Sequence, residues 1–368
     1  MELPTHHRVP LGWLLEHGNE TIRVRINQDL VDSTMIPDET LQAATDAAVA
    51  AKPIQAILKK QRDNGVWGSN LLALAASARD GIKEVGTVPQ HRRLLQLGYP
   101  RSGRAFKLSE RVLFRVLSRD TDPFLRFEFD KVVEAGVEAE DWVREHMREA
   151  VTAALAETGH DEDPRVRGAA HKVATEISQF LRSPLADKPF VKHRSRTILD
   201  PAAHPPSWYS MAMLAAMPNL RRERAGFNER LGQYLASPYP KKKFSLVVGK
   251  RSLKTDYLLL GDPIESDAKG NPKDVPVALY FIDLLARVGT LSANPHATKV
   301  LGRLLADCDE MGVWRPKNLR SLPSTKHKIT YHWFPLNPAT KNPESRSVDV
   351  TFRLALIAKH LGWQLEYV

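Results

Sequence analysis

Residues 53–74 read PIQAILKKQRDNGVWGSNLLAL, and the fold turns on how they are read. Pro53 suits the first turn of a helix, where a backbone N–H has no intrahelical partner to lose. Ile54, Ile57 and Leu58 then share one face, with Lys59 and Lys60 turned to solvent. Gly65 interrupts the pattern, Trp67 follows it, and an apolar run resumes at Leu71. The expectation is a helix, a Gly-Val-Trp turn and a second helix over residues 70–78. The stretch has an echo in residues 300–319. Ile54, Ile57, Leu58, Gly65, Val66, Trp67 and Leu72 align there with Leu301, Leu304, Leu305, Gly312, Val313, Trp314 and Leu319, and Gln61 aligns with Cys308.

Outward from this stretch the pattern is helical. Pro10 and Asn19 open two short N-terminal helices, and Ile22, Ile26 and Leu30 lie on one face of the second. An alanine-rich helix begins at Pro37-Asp38. Further helices are expected over residues 89–97, 108–117, 123–134, 138–157, 164–181, 208–217, 219–235, 276–288, 296–309 and 348–361. Asp120-Thr-Asp-Pro123 returns as Asp161-Glu-Asp-Pro164, with Asp122 and Asp163 as N-caps and each proline at the first helical position. A period near forty residues marks a helical array, and the D-x-D-P start resembles HEAT-type repeats. Residues 243–260 alternate about a central glycine and predict a small β-hairpin. The chain is read as one helical domain over 1–368, with helix pairs in 1–182, a Pro-rich connection over 183–206 and further helix pairs in 207–368.

Gln61-Arg-Asp-Asn-Gly65-Val-Trp67 satisfies Q-x(2–5)-G-x-W, and on this motif the chain resembles the terpenoid-cyclase and protein-prenyltransferase superfamily with its QW repeats. The likeness covers about twenty residues at the first copy and is weaker at the second, where Cys308 replaces the glutamine. It implies an (α/α) toroid of helix pairs around a central cavity, and a structural staple made of Gln61, Gly65 and Trp67 with Gly312 and Trp314. It also implies an apolar ligand such as an isoprenoid, with Trp67, Trp208, Tyr209, Trp314, Tyr331 and His332 as cavity candidates. The cyclase acid D-x-D-D is missing, as is the D-D-x-x-D string that holds magnesium and diphosphate. The zinc triad of the prenyltransferases points to Asp307, Cys308 and His332, but the first two are adjacent here and not two apart.

Other chemistry is thin. His204 and Ser207 stand near Trp208 without a nucleophile elbow. Asp262, Glu265, Asp267 and Asp274 form an acidic loop without EF-hand spacing. Lys250, Arg251 and Lys254 could meet phosphates, but no glycine-rich cradle accompanies them. No motif requires a cofactor, and none names a catalytic residue.

Composition sets the outer limits. The 368 residues carry a formal charge of +10, with 42% hydrophobic and 26% charged residues, which is a globular balance. No apolar run reaches the roughly 18 residues of a membrane span. The N-terminus MELPTHHRVPLGW lacks the apolar core of a secretory signal, and the lone Cys308 fits a reducing compartment, so a cytoplasmic protein is expected. Two readings remain open. One is a cyclase-like toroid holding an apolar small molecule. The other is a non-catalytic HEAT-like array whose basic concave face binds a protein or nucleic acid.

Overall fold

The computed structural model describes residues 3–32, 34, 36–78, 81–119, 122–249, 251–253 and 255–368. Over these residues the protein is mostly helical with three two-stranded sheets. Strand β1 (His6–Val9) leads into α1 (Leu11–His17), α2 (Glu20–Arg25), α3 (Asp38–Ala50) and α4 (Lys52–Leu58). Then come α5 (Thr87–Gln96), α6 (Arg104–Ser118), α7 (Asp130–Val133), α8 (Val137–Leu155) and α9 (Pro164–Arg182). The hairpin β2–β3 (Phe190–His193, Arg196–Leu199) precedes α10 (Trp208–Ala216), α11 (Pro218–Glu223) and α12 (Ala225–Leu235). A second hairpin, β4–β5 (Leu246–Val248, Arg251–Leu253), is followed by α13 (Val275–Val288), α14 (Pro295–Leu305), α15 (Ser345–His360) and β6 (Gln364–Tyr367). Among the described residues, no helix is long and apolar enough to cross a membrane.

The chain divides into two compact units. The first contains Met1–Lys60, Arg92–Gly103 and Ile264–Val368; the second contains Gln61–His91 and Arg104–Pro263. In the first unit α13 packs on α15, and both are buried on nearly every face. Such all-round burial marks core helices. Strands β1 and β6 pair in parallel, with His6 opposite Gln364 and Val9 opposite Tyr367. In the second unit α8 is the central helix, packing on α6, α7, α9 and α10.

Asn19 and Asp163 cap as expected, their side chains accepting the N–H of Ile22 and Arg165 at the heads of α2 and α9. Asp274, read in sequence only as part of an acidic loop, also caps α13 by accepting the N–H of Val277. The β4–β5 hairpin falls inside the expected residues 243–260.

Three expectations need correction. No α-helix forms at the described residues between Leu58 and Thr87, so the second helix of the opening stretch is not there. Gly68 and Ser69 have φ of +66° and +54°, and the N–H groups of Leu71 and Leu72 donate to the Glu128 carboxylate at 2.6 and 2.7 Å. A carboxylate from elsewhere in the chain does the work of helical carbonyls and holds the segment as a loop. Residues 123–134 break into two 3₁₀ turns and the short α7, with Phe127 at φ +48°. Asp122 does cap Pro123–Leu125, but the turn it caps does not extend into a second copy of the long α9. Asp120 and Thr121 of that repeat lie outside the described residues. The 183–206 connection also carries the β2–β3 hairpin, Phe190 opposite Leu199.

The two Gly-Val-Trp turns share one backbone design. Helices α4 and α14 end at Leu58 and Leu305, each three residues before the aligned Gln61 and Cys308. In the first turn Arg62 N–H donates to Val66 O (3.0 Å) and Gly65 N–H to Arg62 O (2.8 Å). In the second, Asp309 N–H donates to Val313 O and Gly312 N–H to Asp309 O, both at 2.9 Å. Gly65 and Gly312 have φ of +90° and +89°. Each tryptophan N–H donates to a threonine hydroxyl, Trp67 to Thr87 (3.1 Å) and Trp314 to Thr351 (3.0 Å). The likeness extends further: Thr87 stands ten residues before Leu97-Gly98-Tyr99, and Thr351 ten before Leu361-Gly362-Trp363. Gly98 and Gly362 close their helices with the same pair of turn hydrogen bonds. The side chain of Gln61 adds what Cys308 cannot, donating to Gly65 O (3.1 Å) and to Ala105 O (2.9 Å) in α6.

Candidate functional site

Helix α8 places polar groups where its neighbours would predict core. Val143, Met147, Ala150 and Val151 are buried, yet Trp142, Glu145, His146 and Glu149 run beside them at three- and four-residue spacing. Helix α9 sets Glu176 between the buried Val173 and Ile177. Ser207 caps α10 through a capping box, accepting from Tyr209 N–H (3.0 Å) and Ser210 N–H (3.2 Å) while Ser210 Oγ accepts from Ser207 N–H. The same Ser207 hydroxyl donates to Glu149 Oε1 at 2.8 Å. These elements, with β3, β4 and Tyr257, enclose a cavity of about 90 Å³ bordered by Trp142, His146, Glu149, Glu176, His204 and Tyr257.

The site's electrostatics come mainly from burial. The Glu149 carboxyl is walled in by protein, which pushes it up to about 7 against the opposing hydrogen bonds from Ser207 and Ser210, and the Glu176 charge raises it further. Glu176 is also raised, first by burial and then by the Glu145 charge. Burial lowers the His146 ring to about 4, so it is neutral at physiological pH. His146 stacks on Trp142 with centroids 5.0 Å apart at 20° and lies 4.3 Å from the Tyr257 ring. Among the described residues its Nδ1 has no hydrogen-bond partner. Burial, with the Glu149 charge behind it, raises Tyr257. His204 Nδ1 stands 3.8 Å from Glu145 Oε2. The arrangement offers a carboxyl pushed up to about 7, a neutral imidazole and two further acidic side chains, the equipment of general acid–base chemistry.

The cavity candidates from sequence fall in several places. Trp208 and Tyr209 are buried at the head of α10 beside this cleft; Trp208 N–H donates to Tyr257 O (3.0 Å), and the Tyr209 ring meets His146 edge-on. Trp67 is fully buried in its turn. Trp314, Tyr331 and His332 belong to the other unit. There His332 is buried 5.3 Å from the Tyr280 ring and is held well below the usual histidine range by burial, then by Arg92, Arg93 and Arg353. Arg93 lies over the Tyr331 ring, and Arg353 lies 3.9 Å from the Trp333 centroid. Asp349 accepts the N–H groups of Leu336 and Asn337 at 2.9 and 2.8 Å.

Asp307 pairs with Arg303 at 2.6 Å, and the Cys308 thiol points to Leu304 O at 3.9 Å. Among the described residues no three His, Cys, Asp or Glu side chains converge as a metal would need, so Asp307, Cys308 and His332 do not form a zinc site. The acidic loop is spent locally: Asp267 accepts from Lys269 and Asn271, and Asp274 caps α13. Arg251 lies on β5; Lys250 and Lys254 lie outside the described residues.

Sequence reading passed over Glu145, His146, Glu149, Glu176 and Tyr257. The available signal was the run of ionisable residues at helical spacing against the apolar stripe of α8. Comparison with models of known protein families, with curated proteins and with solved structures finds no match to this chain.

Proposed function

We propose that the second unit carries an acid–base site for a small, largely apolar ligand, with Glu149 as the group that moves a proton. The observation that carries this reading is the walled-in Glu149 carboxyl, hydrogen-bonded to Ser207 and facing a cavity shared with His146 and Glu176. A carboxyl titrating near neutral pH is matched to proton transfer at that pH. In the forward step the Glu149 hydroxyl proton adds to an alkene carbon of the ligand through the π electrons, and loss of a proton from the carbon next to the resulting cation returns it to the Glu149 carboxylate, which the Ser207 hydroxyl holds. Between turnovers the Glu149 carboxyl exchanges its proton with solvent.

Val173, Ile177, Leu199, Leu246 and Leu258 make the rest of the lining chiefly apolar. The volume of about 90 Å³ lies well under the roughly 300–1,000 Å³ of sites for drug-sized ligands, which favours a five-carbon fragment or the end of a longer chain. Membership of the terpenoid-cyclase and prenyltransferase superfamily, and closure of the helix pairs into a toroid, belong to the same proposal. The shared backbone design of the two Gly-Val-Trp turns supports them.

The test is incubation of the protein with short prenyl alkenes and alcohols in D₂O, followed by mass spectrometry. Deuterium incorporation that is lost in Glu149→Gln is expected. Incorporation equal in both proteins, or none with any such compound, would remove the reading.

A further inference from the structure

Helix α6 carries a second, separate feature. Lys107, Arg111, Arg115 and Arg119 recur every fourth residue, and they line one side of an open groove of about 670 Å³. Four residues of helix advance about 6 Å, so the backbone of the row climbs about 18 Å, with Arg119 just past the end of α6. Among the described residues Lys107, Arg111 and Arg119 have no ion-pair partner. Arg115 stands 3.5 Å from Asp122, with the guanidinium half exposed and the carboxylate mostly covered. Across the groove Arg165 lies 4.0 Å over the Phe114 ring and is held from behind by Asp163. Among the described residues the one acid that lines the groove, Glu110, stands 3.1 Å from His160. Charge in the groove is therefore overwhelmingly positive.

Phe124, 90% exposed, sits on the 3₁₀ turn that Asp122 caps, two residues past the aspartate that pairs with Arg115. Cations recurring about every 6 Å of helix match the repeat of successive phosphates along one extended strand, and an exposed aromatic ring two residues past Asp122 gives a base something to stack on. An enclosed small nucleotide would need a cradle of backbone N–H groups, and this groove is walled by side chains.

We propose that this groove binds single-stranded nucleic acid, with Lys107, Arg111, Arg115 and Arg119 on successive phosphates and Phe124 stacked on a base. The inference does not depend on the Glu149 cleft. Its test is fluorescence anisotropy with a labelled twelve-residue oligothymidylate between 50 and 300 mM salt. Three to four phosphate contacts predict a log–log salt slope of about −2 to −3. Lys107→Gln with Arg111→Gln should weaken binding at least tenfold and flatten the slope by about 1.4. Phe124→Ala should weaken it roughly 5- to 100-fold with the slope unchanged. Circular dichroism of each variant confirms that the fold is kept. Binding without salt dependence, a double variant that binds like the parent, tighter binding to a duplex of the same length, or binding to anionic vesicles but not to the oligonucleotide would each overturn it.

Discussion

Gly312→Ala tests whether the Gly-Val-Trp turn is held by tertiary contact or only by local backbone preference. Gly312 has φ +89°, and a Cβ there would lie 2.2 Å from the carbonyl oxygen of Arg8 in β1. Gly289, in the same unit, has φ +81° with nothing within 4 Å of its would-be Cβ. Alanine at either site meets the left-handed penalty of about 1–2 kcal/mol. At Gly312 the β1 backbone must also move, and overpacking of this kind adds about 1–3 kcal/mol. The expected losses are therefore about 1–2 kcal/mol for Gly289→Ala and about 2–5 kcal/mol for Gly312→Ala. The change reaches beyond the turn, because Gln364 N–H bonds Thr5 O and Val368 N–H bonds Val9 O along the β1–β6 pair. A chain of two units need not unfold in one step, so native-state hydrogen exchange at β1, β6 and α15 is the suitable assay. Equal exchange in the two variants would refute the claim that the turn is docked on β1. Gly65→Ala, whose Cβ would lie 2.4 Å from Leu108 O, should repeat the result in the second unit.

Three further outcomes stem from the buried charges. A carboxyl raised from 4.5 to about 7 binds its proton more tightly in the folded state, so stability falls as pH rises from 4.5 to 7 and the full penalty, on the order of 3 kcal/mol, persists above it. Glu149→Gln keeps an acceptor for the Ser207 hydroxyl without that penalty. Chemical denaturation should show it more stable than the parent at pH 8 and equal to it near pH 4.5. Asp349→Ala strips two backbone N–H groups of their acceptor and leaves Arg353 and Arg93 less compensated; it should cost about 3–5 kcal/mol, read as lost exchange protection in α15. Burial, then Asp309 and Asp307, pushes the Cys308 thiol up to about 12, so at pH 8 a disulfide reagent should label the native protein on the order of a thousandfold more slowly than the unfolded chain.

Sequence alone made legible mostly those features that are decided locally. Asn19 and Asp163 cap the helices that follow them because an N-cap side chain needs only its own next turn. The paired Gly-Val-Trp turns also close on themselves, through hydrogen bonds that span a few residues. Distant partners were harder to foresee. Leu71 and Leu72 are held out of a helix by Glu128, and β1 finds its partner strand at the other end of the described chain. The cleft was hidden for a related reason. Glu145 and Glu149 on a charged stretch of α8 look like a solvated face until α9, α10 and Tyr257 cover them.

The most direct test of an acid–base role is a carboxyl titration of Glu149 by carbon-13 NMR, with Glu149→Gln to assign the resonance. A midpoint near 7, absent from the variant, is the predicted result. A Glu149 that titrates in the ordinary range near 4.5 would contradict it, because it would then hold no proton to give at neutral pH.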